Sequence, residues 1–316
     1  MEGPQPRPLR CVSSEPRVTT PLPQPLPQPA AILLNMAAGT AQTSRSRRAV
    51  ELIRRGLDAE LLTVASRDIE ELSAFVAAHD RHYATLVVAG GDGTLGVAYN
   101  VLAGGDTVLG YLPAGFGNAS AHLLDLPRAP EALAATILAG DARPVDLVRI
   151  GSRLALFAGA GWDALVAGRY ADAGARGTLG WARAIGGALP ALFRRPLVRL
   201  GVDGRMAYEG PMELLVASTT PYFGRGLLVN PGARPDRGTM RLRLYPGPAP
   251  RLALEAVRWA ARRAPTVSFW DATSAELTIV DGEVPLQADG DRIGRSASWS
   301  FGIEPGAIRI IGRWRG

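Results

Sequence analysis

Residues 90–94 read Gly90-Gly-Asp-Gly-Thr94, and they lie between an apolar run, 85–89, and a helix-like stretch, 95–102. This order predicts a strand, a glycine-rich turn and the start of a helix. Glycines let a backbone come close to a ligand, and the free N–H groups of a helix start attract anions. The carboxylate of Asp92 would repel a phosphate unless a cation stood between them. The turn therefore indicates a nucleotide that carries Mg²⁺.

The segments around this turn alternate between strand and helix patterns. Strands are predicted at 30–35, 60–64, 86–89 and 108–112, and helices at 44–56 and at 66–79 with Ser66 as N-cap. Such alternation predicts an α/β fold with a doubly wound parallel sheet, whose ligands bind at the carboxyl ends of the strands. Those ends carry Asn35, Thr63, Asp92 and Pro113.

The pattern changes after about residue 146. Strand-like runs occur at 147–150, 154–158, 198–202, 213–218, 240–245 and 275–280, with helical stretches at 179–193 and 251–263. These runs predict a largely antiparallel β domain with helices. In the first helical stretch, Trp181, Ile185, Leu189 and Leu192 fit either core packing or a wall that faces lipid.

Three regions follow from these patterns. Residues 1–29, which hold the proline repeat 21–29, are predicted to form a disordered tail. Residues 30–145 are predicted to form a nucleotide-binding α/β domain, which 305–316 would complete, and 146–304 are predicted to form a β-rich domain.

The basic residues of the chain are all arginine: it has 35 and no lysine. A Walker A loop and a protein kinase both require lysine, so both are excluded. The net charge of +6 favours an anionic partner, either a lipid surface or nucleic acid. Because no long apolar run and no signal-peptide pattern occur, a cytoplasmic protein is expected.

Other segments extend the pattern of the 90–94 turn. They are Asn35-Met-Ala-Ala-Gly39, Leu112-Pro-Ala-Gly-Phe-Gly-Asn118, Phe157-Ala-Gly-Ala-Gly-Trp-Asp-Ala164 and the segment 226–242. Together with residues 90–94 they resemble the diacylglycerol kinase catalytic family, which includes bacterial lipid kinases and sphingosine kinases. The resemblance runs from residue 30 to the end of the sequence and implies an ATP- and Mg²⁺-dependent lipid kinase.

The family motif Asp-Gly-Glu has two candidates here, 281–283 and 289–291. The flanking sequence of the second is similar to that of the family, so the resemblance assigns the general base to Asp291. It also implies that Asp92 organises the nucleotide Mg²⁺ through water, that Asp146 supports this network, and that Asp236 is a candidate ligand of a second metal.

The resemblance also implies a set of nucleotide contacts and partners. The contacts are Asn35, Gly39, Thr63, Gly90, Gly91, Gly93, Thr94, Gly115 and Asn118. The implied substrate is a membrane lipid, with diacylglycerol as the default. We expect peripheral contact with the anionic inner face of the membrane and no nucleic-acid partner, while a homodimer stays open.

The sequence departs from the family at Met36, Gly96, Phe116, Ala119 and Arg237. Polar groups are lost around the nucleotide, and Arg237 replaces one acid of the second metal segment. A catalytically weak or inactive relative that binds lipid or nucleotide is therefore the alternative. A nicotinamide-dinucleotide kinase would require a segment similar to Thr-Pro-Thr-Gly-Ser, which the sequence lacks.

Overall fold

The computed structural model describes residues 25–80, 82–115, 117–172, 177–193, 195–224 and 226–313. The predicted tail up to residue 24 and Phe116 lie outside these ranges. The fold has two parts, a parallel sheet covered by helices and a sandwich of two antiparallel sheets, in agreement with the predicted α/β class.

The first part alternates strands and helices in chain order. Its elements are β1 (Ala30–Asn35), α1 (Ser44–Leu57), β2 (Glu60–Val64), α2 (Ile69–Ala77), β3 (Thr85–Gly90), α3 (Asp92–Leu102), β4 (Val108–Pro113), α4 (Ala119–Leu123) and α5 (Pro130–Ala139). The strands pair in parallel in the order β2-β1-β3-β4. The order reverses between β1 and β3, which creates a crevice at their carboxyl ends.

Both faces of this sheet are buried, as a parallel sheet requires. On one face, Ile32 and Val87 pack with α1 and α5, and on the other, Leu33 and Val88 pack with α2 and α3. The doubly wound arrangement therefore follows from strands that are apolar at nearly every position.

The second part begins with β5 (Ala142–Ile150). It continues with β6 (Arg153–Ala155), β7 (Phe157–Gly161), α6 (Trp162–Asp172), α7 (Gly177–Ala188), a 3₁₀ turn (Leu189–Phe193), β8 (Leu197–Val202), β9 (Arg205–Pro211), β10 (Leu214–Ser218), β11 (Tyr222–Phe223), β12 (Leu227–Leu228), β13 (Met240–Tyr245), α8 (Ala249–Ala260), β14 (Trp270–Ala272), β15 (Ser274–Ile279), β16 (Val284–Ala288), β17 (Asp291–Ser296) and β18 (Ser298–Ile311).

The last strand, β18, connects the two parts. Its carboxyl-terminal half lies between β4, to which it runs parallel, and β5, while its amino-terminal half pairs with β15. The first sheet thus continues through β18, β15, β8 and β9. This extension packs face to face against the second sheet, β14-β13-β10-β7-β16-β17, over a core that includes Leu200, Leu277 and Leu286.

Two predicted boundaries are corrected by local contacts. Asp68, and not Ser66, caps α2, because its side chain accepts a hydrogen bond from the Glu71 N–H. Residues 25–29, predicted as the end of a disordered tail, pack on the first part: Leu26 is buried, and the Pro27 carbonyl accepts a hydrogen bond from Thr85.

The helix α7 and the 3₁₀ turn after it do not bury all of the apolar residues predicted to share one face. Trp181 stacks on Tyr170 with ring centroids 4.9 Å apart, and Leu192 is buried. Ile185 and Leu189 are exposed. The prediction of core packing therefore holds for only part of this stretch.

Candidate functional site

The loops after β1, β3 and β4 are joined to one another by backbone hydrogen bonds. The Thr40 N–H donates to the Ala114 carbonyl at 2.8 Å, and the Ala114 N–H donates to Gly90 at 2.7 Å. These bonds hold the loops together at the crevice between β1 and β3. A cleft of about 190 Å³ opens there.

Most of the predicted nucleotide contacts line this cleft, together with the predicted base. They are Asn35, Gly91, Gly93, Thr94, Gly115 and Asp291. Gly90 lies directly beneath it, where a Cβ would meet the Thr94 side chain at 2.7 Å. Gly39 is exposed beside the lining residues Ala37 and Ala38, and Thr63 is an exposed residue of β2 outside the lining.

The buried amide of Asn35 links three segments of the cleft. Its Nδ2 donates to the Ser66 carbonyl at 2.8 Å and to Thr94 Oγ1 at 3.0 Å, and its Oδ1 accepts from the Ala37 N–H at 3.0 Å. Since Thr94 Oγ1 accepts this bond, its own hydroxyl hydrogen is free to donate to a ligand.

Gly91 and Gly115 bring two loops into backbone contact. A Cβ on Gly115 would lie 2.7 Å from the Gly91 Cα, which no real side chain tolerates. Asn118 closes the second loop, because its side chain accepts from the Gly115 N–H and donates to the Gly115 carbonyl, both at 2.9 Å. The two glycines therefore allow an approach that a larger residue would block.

Asp92 begins α3 and joins it to α4. Its two carboxylate oxygens accept hydrogen bonds from the Ala119 N–H at 2.9 Å and the Ser120 N–H at 3.1 Å. Burial raises the pKa of Asp92, and these hydrogen bonds oppose the rise. Asp92 thus fixes the relative position of two helix starts.

Asp291 approaches the same cleft from the turn between β16 and β17. Its Oδ1 would lie 3.9 Å from a Cβ on Gly93, and its Oδ2 accepts from Arg153 at 2.9 Å. Burial raises the pKa of Asp291, Arg153 lowers it, and the negative charge of Asp92 raises it again. The structure therefore brings Asp92 and Asp291 together.

A third carboxylate, Asp289, lies in the same turn. It accepts hydrogen bonds from the Leu156 and Phe157 N–H groups, both at 3.1 Å, and from the Tyr99 hydroxyl. Burial raises its pKa well above the ordinary value, and Asp92 and Asp291 add to the rise. The three carboxylates therefore lie close enough to affect one another's charge.

A half-buried carboxylate behind the turn, Asp163, supports it through Gln287. The Gln287 Nε2 donates to Asp163 Oδ2 at 2.9 Å, and its Oε1 accepts from the Gly290 N–H at 2.7 Å. Burial raises the pKa of Asp163 to about 7, against hydrogen bonds from Gln287 and the Ala164 N–H. The turn that carries Asp291 thus rests on a group that titrates near neutrality.

Asp163→Asn should change the pH dependence of stability. The pKa of Asp163 is about 7 in the folded protein against an ordinary value of 3.8, so the folded state holds this proton over a wider range. The bound proton adds to the free energy of unfolding. This addition is complete below the ordinary pKa of 3.8 and is lost as pH rises towards 7, by at most about 1.4 kcal/mol per pH unit. Urea unfolding between pH 4 and 8 measures the difference between wild type and variant. That difference should change across this window. Asp106→Asn, at an exposed position, should give a flat difference. A flat difference for Asp163→Asn would contradict the assignment.

Comparison with known proteins places the chain in a family. The model of the diacylglycerol kinase catalytic domain matches residues 29–150. A diacylglycerol kinase of Mycobacterium tuberculosis is 33% identical over 214 residues, which cover 61% of this chain and 68% of that protein. The chain belongs to the diacylglycerol kinase catalytic-domain family. A probable YegS-like lipid kinase of Pseudomonas aeruginosa is 29% identical over 240 residues, which cover 72% of this chain and 76% of the relative.

Solved structures share the fold of this family member. A putative diacylglycerol kinase from Bacillus anthracis aligns with a TM-score of 0.72 and 17% identity over 90% of this chain and 95% of that one. An NAD kinase from Archaeoglobus fulgidus in complex with ATP aligns with a TM-score of 0.52 and 14% identity, over 90% and 92% of the two chains. The two-part α/β fold is therefore shared with both kinds of kinase.

The family resemblance implied that Asp146 supports the network around Asp92. The structure places the two residues apart. Asp92 follows the carboxyl end of β3, whereas the register of β18 against β4 and β5 puts Asp146 near the amino end of β4. Both carboxylate oxygens of Asp146 are bonded elsewhere, to the Gly238 N–H at 2.6 Å and the Gly306 N–H at 2.8 Å. Asp146 therefore joins the 235–238 loop to the bulge of β18.

Asp236, the candidate ligand of a second metal, is occupied by an arginine of its own loop. It accepts hydrogen bonds from Arg234 at 3.0 and 2.8 Å, and these bonds lower its pKa. Across the part of the chain that the structure describes, no group of three or more acidic, histidine or cysteine side chains is arranged to hold a metal directly.

Four residues that the sequence did not single out belong to the site of this family member. They are Tyr99, Tyr111, Arg153 and Asp289. Asp289 could have been found, because it is the first acid of the Asp-Gly-Asp turn. The other three carry no local motif.

Among the described helices, none is long and apolar enough to span a membrane.

Proposed function

We propose that this protein transfers the γ-phosphoryl group of ATP, with Mg²⁺, to a hydroxyl of a membrane lipid, with diacylglycerol as the default acceptor. One observation carries the proposal. Asp291, from the β-rich part, faces Gly93 in the first turn of α3, where a phosphate would lie. A proton acceptor thus stands opposite an anion-binding helix start.

The nucleotide cleft supports ATP as the donor. It lies at the switch point of a parallel sheet, where nucleotides bind in doubly wound folds. Gly91, Gly93 and Gly115 line it without side chains, so a phosphate could approach the loop backbone, and the Thr94 hydroxyl has a hydrogen to donate. The NAD kinase that shares the fold was solved with ATP.

The carboxylates fit a nucleotide-bound Mg²⁺. Asp92 and Asp291 raise the pKa of Asp289, Asp92 also raises the pKa of Asp291, and a divalent cation would relieve this repulsion. Asp92 would hold the ion through water, because both of its oxygens already accept backbone hydrogen bonds. Bound to the phosphates, Mg²⁺ supplies neutralisation of the charge on the transferred group.

The proton of the acceptor hydroxyl has a defined destination. Asp291 takes it as the lipid oxygen forms a bond to the γ-phosphorus, while the bond to the bridging oxygen breaks and ADP leaves. The raised pKa of Asp291 makes the carboxylate a better proton acceptor. Arg153, at 2.9 Å, orients it.

A catalytically weak or inactive relative is the second candidate, and the same ion pair favours it. Arg153 lowers the proton affinity of Asp291 and occupies one of its oxygens. Ala119 stands where the family usually has an aspartate, so one polar group is missing next to Asp92. The ion pair of Arg153 with Asp291 and the alanine at position 119 would lower the rate of phosphoryl transfer more than the affinity for ATP.

The deciding experiment is a phosphoryl-transfer assay. Purified protein is incubated with γ-labelled ATP, MgCl₂ and, in separate reactions, diacylglycerol, ceramide, a sphingoid base and a total lipid extract. We expect labelled phosphatidic acid from diacylglycerol, which disappears when EDTA removes Mg²⁺. Label on no lipid, together with retained ATP binding, would support the inactive relative instead. Asp281→Asn, in the exposed turn 281–283, serves as the variant control and should label lipid like the wild type.

Gly115→Ala should weaken nucleotide binding and destabilise the fold. The added methyl group would push Gly91 and the Asn118 side chain away, from 2.7 and 2.9 Å. Overpacking of this kind costs about 1–3 kcal/mol. We expect an ATP affinity at least tenfold lower by calorimetry and a lower melting temperature. Gly186→Ala, at a helix position with open space, is the matched control, and equal effects of the two substitutions would refute the role of the contact.

A further inference from the structure

The helix α8 exposes an apolar strip on its outer face. Leu254 and Val257 are 59% and 65% exposed, while Leu252 and Trp259 on the opposite face are buried in the core. The strip is extended by exposed small residues at Pro250, Ala253, Ala260 and Ala261. The inner face alone attaches the helix to the sheet, so folding does not explain the outer apolar residues.

The charges around this strip are positive. Arg251, Arg262 and Arg263 are exposed, and Arg258 lies on the same segment. Glu255 is the single acidic residue of the segment 249–264, and it is buried, where it accepts a hydrogen bond from the Thr266 N–H at 3.0 Å. An apolar strip flanked by arginine is typical of a helix that lies in the interface of an anionic membrane.

A chain of contacts connects α8 to the cleft. The helix packs on β12, which pairs with β11, and Tyr222 of β11 lies against His122 with ring centroids 5.9 Å apart. His122 belongs to α4, whose first N–H groups bind Asp92. Burial lowers the pKa of His122, and the charges of Arg262 and Arg128 lower it further.

We propose that the exposed face of α8 is a docking surface for an anionic lipid bilayer, with Leu254 and Val257 inserted among the acyl chains and Arg251, Arg262 and Arg263 on the headgroups. Docking in this way would set the edge of the cleft at the membrane surface. The reason for docking rests on the proposed function, because a lipid kinase has to reach its substrate in a membrane. The vesicle test does not depend on that function, since binding requires no catalysis.

The charges and the size of the strip favour a bilayer over a second copy of the chain. Two large apolar residues do not supply the roughly 1,200–2,000 Å² that a stable protein interface buries. A second copy would also bring its own arginines against these. A bilayer needs neither shape complementarity nor a matching acidic patch, because each arginine near an anionic surface adds about fivefold to affinity.

The test is vesicle sedimentation of the full chain. Wild type is mixed with vesicles of phosphatidylcholine alone, or of phosphatidylcholine and phosphatidylglycerol in equal parts, at low and high salt. We expect binding to the anionic vesicles that decreases with salt. The double variant Leu254→Asp/Val257→Asp should bind at least tenfold more weakly, and Arg262→Gln about fivefold more weakly. Met206→Asp, at an exposed apolar position on β9, is the matched control and should bind like wild type.

Several outcomes would overturn the docking surface. They are no vesicle binding by wild type, unchanged binding of the α8 double variant, an equal loss for Met206→Asp, or a loss confined to Leu179→Asp/Leu189→Asp, at exposed positions of α7 and the 3₁₀ turn that follows it. Sedimentation equilibrium tests whether a second copy of the chain covers the face instead. If the wild type is a dimer, the double variant is a monomer and vesicle binding is unchanged, the face belongs to a second copy. If the variants lose vesicle binding while no form of the protein labels lipid, the docking surface stands and the proposed function fails.

Discussion

Asp291→Asn is expected to lower kcat about a thousandfold with little change in the affinity for ATP. The amide keeps the size of the carboxylate and still offers one oxygen to Arg153, which donates to Asp291 at 2.9 Å in the wild type. It cannot take a proton from the acceptor hydroxyl. The rate of lipid labelling, together with an ATP titration of each protein, measures the two quantities separately.

Two variants control this prediction. Glu283→Gln removes the acid at the equivalent place of the neighbouring Asp-Gly-Glu turn and should leave kcat unchanged, because residue 283 is exposed and outside the cleft. Asp291→Glu restores the usual family residue and should retain activity within about tenfold of wild type. If Asp291→Asn keeps wild-type kcat, the proton acceptor is another group.

Asp92→Asn should abolish most of the activity and also lower stability. The NH₂ group of the asparagine amide would face the N–H of Ala119 or of Ser120. In the wild type, two carboxylate oxygens accept from these groups at 2.9 and 3.1 Å. A buried donor left facing a donor costs about 1–3 kcal/mol. The loss of negative charge also removes the group that would hold the waters of Mg²⁺, so kcat should decrease by at least about a hundredfold.

The loss of activity must be separated from the loss of stability. Asp203→Asn supplies the control, because Asp203 also accepts backbone hydrogen bonds, from Thr273 and Ser274 at 3.0 and 2.9 Å, but in a turn far from the cleft. It should destabilise the protein modestly and leave kcat unchanged. A fully active Asp92→Asn would remove Asp92 from the proposed mechanism.

The cleft loops could be predicted because their residues are local to strand ends. An apolar strand followed by glycines and a polar residue indicates where the chain leaves the sheet, and parallel strands bring such ends together. This reasoning put Asn35 at the crevice, the family resemblance added Gly91 and Gly115, and all three line one cleft. Thr63, near the end of β2, lies outside the lining of the cleft, because strand position does not reveal which side chains at an edge face the cleft.

The position of Asp146 could not be derived in the same way. Its distance from Asp92 depends on β5 running antiparallel to β18, and on a register that residues far apart in the chain determine. Arg153 and Tyr99 are further cases: each reaches the Asp289–Asp291 turn through a tertiary contact with no counterpart in the local sequence.

The strand β18 also bears on how the protein is made. During synthesis, β4 and the three cleft loops leave the ribosome long before β18, which is its neighbour in the sheet. Until then β4 has an unpaired edge, and pairings between distant segments form slowly and leave such edges open to wrong partners. The nucleotide-binding part therefore cannot complete its sheet as an independent unit during translation, and its final closure has to wait for the segment that also builds the sandwich.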